Sequence, residues 1–267
     1  MGFPPREVNF TASDGTKLFG WFFAARVKDH RPVQGTIIQF HGNAENLSSH
    51  FLSLLWAVEH GYNLFTFSYR GYGKSEGEPN QKGTYLDGLA ALEQAWRLNG
   101  GAPRFIVHGQ SLGGAIAARA LADFPHKDQT SLLVLDSTFA SYQDVARRKL
   151  ASHWLTWVFS PLAMVLVSDS YSAEESIREL RTPLLVIHDR EDPAVPIAAS
   201  EEFFDEATHT PWKQFWKLDQ GRHVGAFALD RGPDGKPATN VWRQKYIQVL
   251  DGLPNPPQKF DEAPRTR

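Results

Sequence analysis

An α/β fold built on a mostly parallel sheet follows from three features of this chain. Short apolar, β-branched or aromatic runs alternate with longer stretches whose apolar residues recur at helical spacing, the pattern of parallel strands joined by crossover helices. Two strand-like runs near the start, 6–12 and 17–25, are joined across Ser13-Asp14-Gly15-Thr16, and Asp-Gly suits the tight turn of a hairpin. Further on, Gly109-Gln110-Ser111-Leu112-Gly113 links a short apolar strand to an Ala-rich helix, with glycines where strand and helix pass closely. The expectation is one domain over 1–267, with about eight strands, antiparallel strands at its N-terminal edge and helices on both faces.

The elements follow in order. Residues 36–40 read as a strand, and 47–59 as a helix with apolar residues at helical spacing. Residues 63–68 form the next strand, then a Gly-rich loop and a helix over 83–98. The strand at 104–108 enters the Ser111 turn, the helix 112–124 leaves it, and a strand follows at 132–136. The section 141–180 is less regular, rich in aromatics, and reads as two or three helices inserted as a small cap or lid. A buried strand at 183–188, a helix at 197–207, a strand at 213–218 and a helix at 240–250 complete the pattern. The Pro-containing tail, 253–267, reads as an extended surface segment.

Composition removes several classes of function. With a net charge of −2 over 267 residues, nothing suggests a nucleic-acid surface. The absence of cysteine excludes disulfides, thiolate metal sites and a cysteine nucleophile. Neither a metal nor another cofactor is expected. Met1-Gly2-Phe3-Pro4-Pro5-Arg6 lacks the apolar core of a signal peptide, and 154–167 is shorter than the ~18–20 residues that span a bilayer. The chain as given therefore reads as cytoplasmic; a periplasmic or anchored protein is the alternative if a segment precedes Met1.

A serine on a tight strand-to-helix turn projects its hydroxyl from the top of a sheet, and holds a strained backbone that proteins seldom keep without a use. A hydroxyl needs a base beside it to attack at neutral pH, and the base needs an orienting group. Of ten histidines, His223 is the best candidate base, because it lies in a Gly-bounded loop after the last strand. His30, His50, His60, His126 and His209 fall in surface loops or helix ends, and His108 and His188 end strands, where backbone hydrogen bonding is the commoner role. The acid belongs between serine and base in the chain. Asp192 is favoured, Asp189 and Glu191 compete with it locally, and Asp136 at the end of the 132–136 strand is the more serious rival. Oxyanion donors fall to the backbone N–H of Leu112, at the start of the helix, and of Asn43, in His41-Gly42-Asn43-Ala44 after the 36–40 strand.

These residues resemble the α/β-hydrolase superfamily, most of all its Bem46/YfhR-like branch of serine hydrolases. The resemblance runs through Phe40-His41-Gly42-Asn43-Ala44-Glu45-Asn46, the loop from Tyr69 to Gly77, Gly109-Gln110-Ser111-Leu112-Gly113-Gly114, Asp136-Ser137-Thr138-Phe139 and the segment from His188 to Pro196. It implies a Ser111–His223–Asp192 triad and hydrolysis of a carboxylic ester or thioester through an acyl-enzyme. A peptidase or acyltransferase of the same fold is the nearer alternative, and a non-catalytic binding module the more distant one. Where the branch usually has glycine after the first histidine of its acid segment, this chain has Asp189. His41, Tyr69, Trp154 and Trp157 are the candidate substrate contacts, and the substrate class is a small-molecule or lipid-like acyl compound. Trp154, Trp157, Phe159, Leu162 and Val165 either cover a sheet edge or wall an acyl pocket that rests on a membrane. If they wall a pocket, rates on p-nitrophenyl esters hold level or rise from acetate to laurate; a steep fall with chain length assigns them to the sheet edge.

Overall fold

The structure is a computed structural model that describes residues 4–27, 32–43, 51–151, 168–228 and 240–255. Its strands are β1 (Arg6–Thr11), β2 (Lys17–Phe23), β3 (Gly35–Phe40), β4 (Tyr62–Ser68), β5 (Phe105–Gln110), β6 (Leu132–Asp136), β7 (Leu184–Asp189) and β8 (Lys213–Leu218). They form one sheet in the order β1-β2-β4-β3-β5-β6-β7-β8. β1 and β2 pair antiparallel, as does β2 with β4, and every other pairing is parallel. The hairpin turn expected at Asp14-Gly15 is made by Gly15 at φ 90°, with Ala12 N–H donating to the Thr16 carbonyl at 2.9 Å.

The helices are α1 (Gln81–Asn99), α2 (Leu112–Ala122), α3 (Tyr142–Ala151), α4 (Glu174–Arg178), α5 (Ile197–Glu206) and α6 (Val241–Gly252). Successive strand residues point to opposite faces, so the sheet has a core on each side. Ile38, Phe40, Val107, Leu133 and Val186 pack with Ala91 and Leu92 of α1, Ile116 of α2 and Phe203 of α5. Ile37, Leu64, Ile106, Val134 and Ile187 pack with Val58 and with Tyr246, Val249 and Leu250 of α6. Strands buried on both faces explain why they read as unbroken apolar runs rather than as alternating ones. Among the described residues no helix is long and apolar enough to cross a membrane.

One element differs from expectation. In place of a helix over 47–59, the described part of this stretch forms two 3-10 segments, Phe51–Ser53 and Leu55–His60. The indole of Trp56 donates to the Ser53 carbonyl at 2.7 Å, while Ala57 N–H reaches back only to Leu54 O at 3.0 Å. The carbonyl that would continue an α-helix is thus taken by a side chain, and Gly61 at φ 87° ends the segment. Residues 44–50 lie outside the described residues. Of the expected cap, α3 and α4 are described and 152–167 are not, and of the expected tail only residues up to 255 are described.

The loop after β4 is fixed by charge. Arg70 donates through Nε and Nη2 to Asp87 on α1 and through Nη1 to Asp14 of the hairpin turn at 2.8 Å. The Asp87 side chain is fully buried, so its charge depends on this guanidinium. Removing one partner of a buried ion pair costs about 3–5 kcal/mol, because the other is left uncompensated. Arg70→Ala is expected to lower unfolding stability by that amount in urea, and Arg70→Lys to recover only a part of it, since an ammonium cannot match the forked contact.

Candidate active site

Parallel strands bring the carboxyl ends of β3, β5, β6 and β7 to one edge, the edge at which open α/β sheets build their sites. Ser111 stands there between β5 and α2 at φ 52° and ψ −124°, half-buried. The crossing is as close as the glycines suggest. A β-carbon on Gly109 would run into Gly114, and one on Gly113 would fall on the carbonyl oxygens of Phe40 and His41. A β-carbon on Gly114 would strike the Thr138 side chain. The same contacts set the loop carrying Gly42 and Asn43 beside the first turn of α2, whose N–H groups open toward Ser111.

The end of β6 ties the remaining pieces together. Ser111 N–H donates to the Asp136 carbonyl at 2.8 Å, and the Thr138 hydroxyl donates to the Ser111 carbonyl at 2.7 Å. Between them Ser137 accepts the N–H of Val224 at 3.2 Å, which holds the segment next to His223. Ser111, Ser137 and Val224 are the three non-glycine residues with positive φ among the described residues. All three lie at this site.

His223 Nδ1 lies 2.7 Å from Asp192 Oδ2. A carboxylate can only accept, so Nδ1 carries the proton and the neutral ring keeps a lone pair on Nε2. The Asp192 side chain is fully buried, whereas that of His223 is 26% exposed. Burial alone would raise the Asp192 pKa. His188 and His223, with the N–H groups of Val195 and Ala194, overcome it and hold the carboxyl well below the usual range. Asp136 goes the other way. Burial pushes it up to about 6, against the pull of Gln110, His223, His188 and Ser137. Its Oδ2 has no hydrogen-bond partner.

Other expectations are redrawn. His188 does bond a backbone carbonyl, with Nε2 2.9 Å from Val195 O, yet it also lies 3.4 Å from Asp192 Oδ2 and meets the Ser200 hydroxyl through Nδ1 at 2.7 Å. It clamps the acid loop, a role that only its spacing from Asp192 hinted at. His41 and Tyr69, expected as substrate contacts, are both buried; their rings meet at a tilt with centroids 4.5 Å apart, and the Tyr69 hydroxyl donates to the His41 carbonyl at 3.2 Å. They support the loop from beneath, and half-buried Tyr72 donates through its hydroxyl to Asn43 Oδ1 at 2.7 Å. Trp154 and Trp157 lie outside the described residues. Glu191 is exposed, and Asp189 accepts backbone N–H groups rather than meeting His223. His108, buried against Tyr246, is pushed down to about 3 by burial and is neutral. A cleft of about 590 Å³ lined by Leu121, Lys127, Glu179, Arg181 and His209 opens before β6 and β7, at the sheet edge opposite Ser111. Among the described residues no group of three or more His, Asp or Glu side chains is placed to hold a metal ion.

Known proteins share this architecture. A family model for the alpha/beta hydrolase fold matches residues 35–157. The uncharacterized protein YfhR of Escherichia coli K12 is 34% identical over 252 residues, 94% of this chain and 82% of its own. Protein bem46 of Schizosaccharomyces pombe is 31% identical over 168 residues, 60% of this chain and 52% of its own. Among solved structures, the esterase Pf2001 of Pyrococcus furiosus superposes with a TM-score of 0.67 at 24% identity, over 84% of each chain. At that identity the likeness speaks for the fold. Fold, strand order and a relative matched along nearly the whole chain agree that this protein belongs to the α/β-hydrolase superfamily, in its Bem46/YfhR-like branch.

Proposed function

We propose that this chain is a serine hydrolase that cleaves carboxylic esters or thioesters through an acyl-enzyme on Ser111. The observation that carries the proposal is the strained Ser111 on one side of the β6 end, with the His223–Asp192 hydrogen bond on the other. His223 Nε2 takes the hydroxyl proton as Ser111 Oγ attacks the carbonyl carbon, and Asp192 steadies the imidazolium that forms. The oxyanion is met by the N–H groups of Leu112 and Asn43; each well-aimed donor is worth about 10²–10³-fold in rate. Collapse of the tetrahedral intermediate expels the alcohol or thiol, which takes its proton from His223. Water then gives up a proton to His223, attacks the acyl carbon and releases the acid with Ser111 restored.

A fluorophosphonate probe tests the nucleophile. It is expected to label the wild-type protein and to leave Ser111→Ala unlabelled. A folded wild type that takes no label removes the hydrolase reading, and a labelled Ser111→Ala moves the nucleophile elsewhere.

The acids are separated on a small ester. Asp192→Asn is expected to lower kcat/KM by about 10³–10⁴-fold, since the imidazole loses its tautomer and its counter-charge; Asp136→Asn should lower it by less than about tenfold. The opposite pattern transfers the acid role to Asp136.

Stability supplies a second mark. With its folded pKa raised to about 6, Asp136 binds a proton more tightly folded than unfolded. Stability then falls as pH climbs from about 4 to about 6 and stays lower above, by roughly 3 kcal/mol. Asp136→Asn should abolish that fall: in urea it is expected to be more stable than wild type at pH 8, with the advantage gone by pH 4.

A further inference from the structure

His223 lies in a segment, 219–228, that has no strand or helix of its own, so its imidazole is aimed only as well as this backbone is held. After the histidine the nearest tether is the Val224 N–H bond to Ser137, followed by bonds from the Asn240 amide to the Ala226 and Ala228 carbonyls and from Arg243 Nε to the Phe227 carbonyl. Before it, the N–H groups of Gln220 and Gly221 donate to Asp189 at 2.6 and 3.1 Å. The N–H of Glu191, on the acid loop, donates to the same carboxylate at 2.9 Å. Asp189 is the last residue of β7 and 2% exposed. One buried carboxylate therefore joins the two loops whose side chains meet in the His223–Asp192 bond. Its three N–H donors, drawn from both loops, answer the cost of burying its charge. The family resemblance places glycine at this position, and glycine has no side chain with which to reach Gln220.

The geometry points to Asp189 as a positioning residue for His223, which holds the base loop so that the imidazole meets Asp192 and faces Ser111. This inference rests on reading His223 as the general base. Small displacements of a catalytic group cost far more in rate than in folding, so the two kinds of loss can be told apart.

The experiment compares full-length Asp189→Gly and Asp189→Asn with wild type. Asp189→Gly is expected to lower kcat on p-nitrophenyl acetate by about tenfold or more with KM within about threefold, and to slow fluorophosphonate inactivation by the same factor. The low-field proton resonance of His223 Nδ1–H, identified by its loss in His223→Ala, should broaden or shift upfield. Asp189→Asn keeps an oxygen for two of the three N–H groups but turns its amide against the third, so it should fall between. A folded Asp189→Gly with wild-type kcat and an unchanged resonance overturns the inference. If that variant does not fold, Asp189→Asn with wild-type values does so. A wild type that neither turns over ester nor takes the probe removes the hydrolase reading alone. The resonance then decides: its loss in the folded variants supports the tether, and its persistence overturns it.

Discussion

Everything at this site depends on one backbone constraint: β5 turns into α2 through a single residue with positive φ, and that residue is a serine. Such a conformation costs about 1–3 kcal/mol and persists only where the surroundings over-determine it. Here they do. Three glycines let the strand, the helix and the β3 loop close on one another, and the Ser111 backbone is bonded at both its N–H and its carbonyl to the end of β6. Ser137 and Val224 share the unfavourable conformation and are bonded to each other. For Val224, a β-branched residue, positive φ is a pronounced outlier. A chain selected only for stability would place glycine or asparagine at these positions.

The strain is useful because the sheet is parallel. Its strand ends deliver loops from distant parts of the sequence to one edge, where backbone donors can be fixed before any substrate arrives. The approach of Gly113 to the Phe40 and His41 carbonyls sets the first two loops together, and Arg70 secures a third by linking α1 to the N-terminal hairpin. That third loop carries Tyr72, which reaches Asn43. The antiparallel hairpin, remote from Ser111 in sequence, thus contributes to the rigidity of the Asn43 side of the site.

Much of this was legible in the sequence because it is local. The expected runs mark all eight strands to within two residues of their ends, and burial on both faces of β3 through β7 forces the continuous apolar composition that makes those five plain. The close crossing at Gly109 and Gly113 can be read from spacing alone. The stretch 47–59 misleads because its apolar periodicity is compatible with a helix, while the bond from the Trp56 indole to the Ser53 carbonyl has no signature in a periodic pattern. His41 and Tyr69 mislead for a related reason. Polar and aromatic residues beside a glycine loop suggest an open rim, whereas contacts among His41, Phe67, Tyr69 and Tyr72 bury both. His188 and Asp189 have roles set by Ser200, Gln220 and Gly221, partners that lie 12 to 32 residues further along the chain, beyond the reach of any local rule.

The two carboxylates illustrate what sequence position leaves open and environment resolves. Asp136 ends a buried strand and Asp192 follows one, both come between Ser111 and His223 in the chain, and His223 and His188 favour the ionised form of both. Burial opposes ionisation in each. Asp192 receives hydrogen bonds from two backbone N–H groups and the His223 ring, with His188 close by, so the ionised form wins. Asp136 spends its backbone carbonyl on Ser111 and leaves Oδ2 unpartnered, so the protonated form is favoured up to about pH 6. Environments that push two neighbouring acids apart separate their duties. Asp192 is already an anion wherever a histidine can act as a base, whereas Asp136, held up to about 6, ionises only as that range begins. Asp136 serves the site through its backbone, as an anchor for the strained serine, and its side chain bears the desolvation cost of standing there.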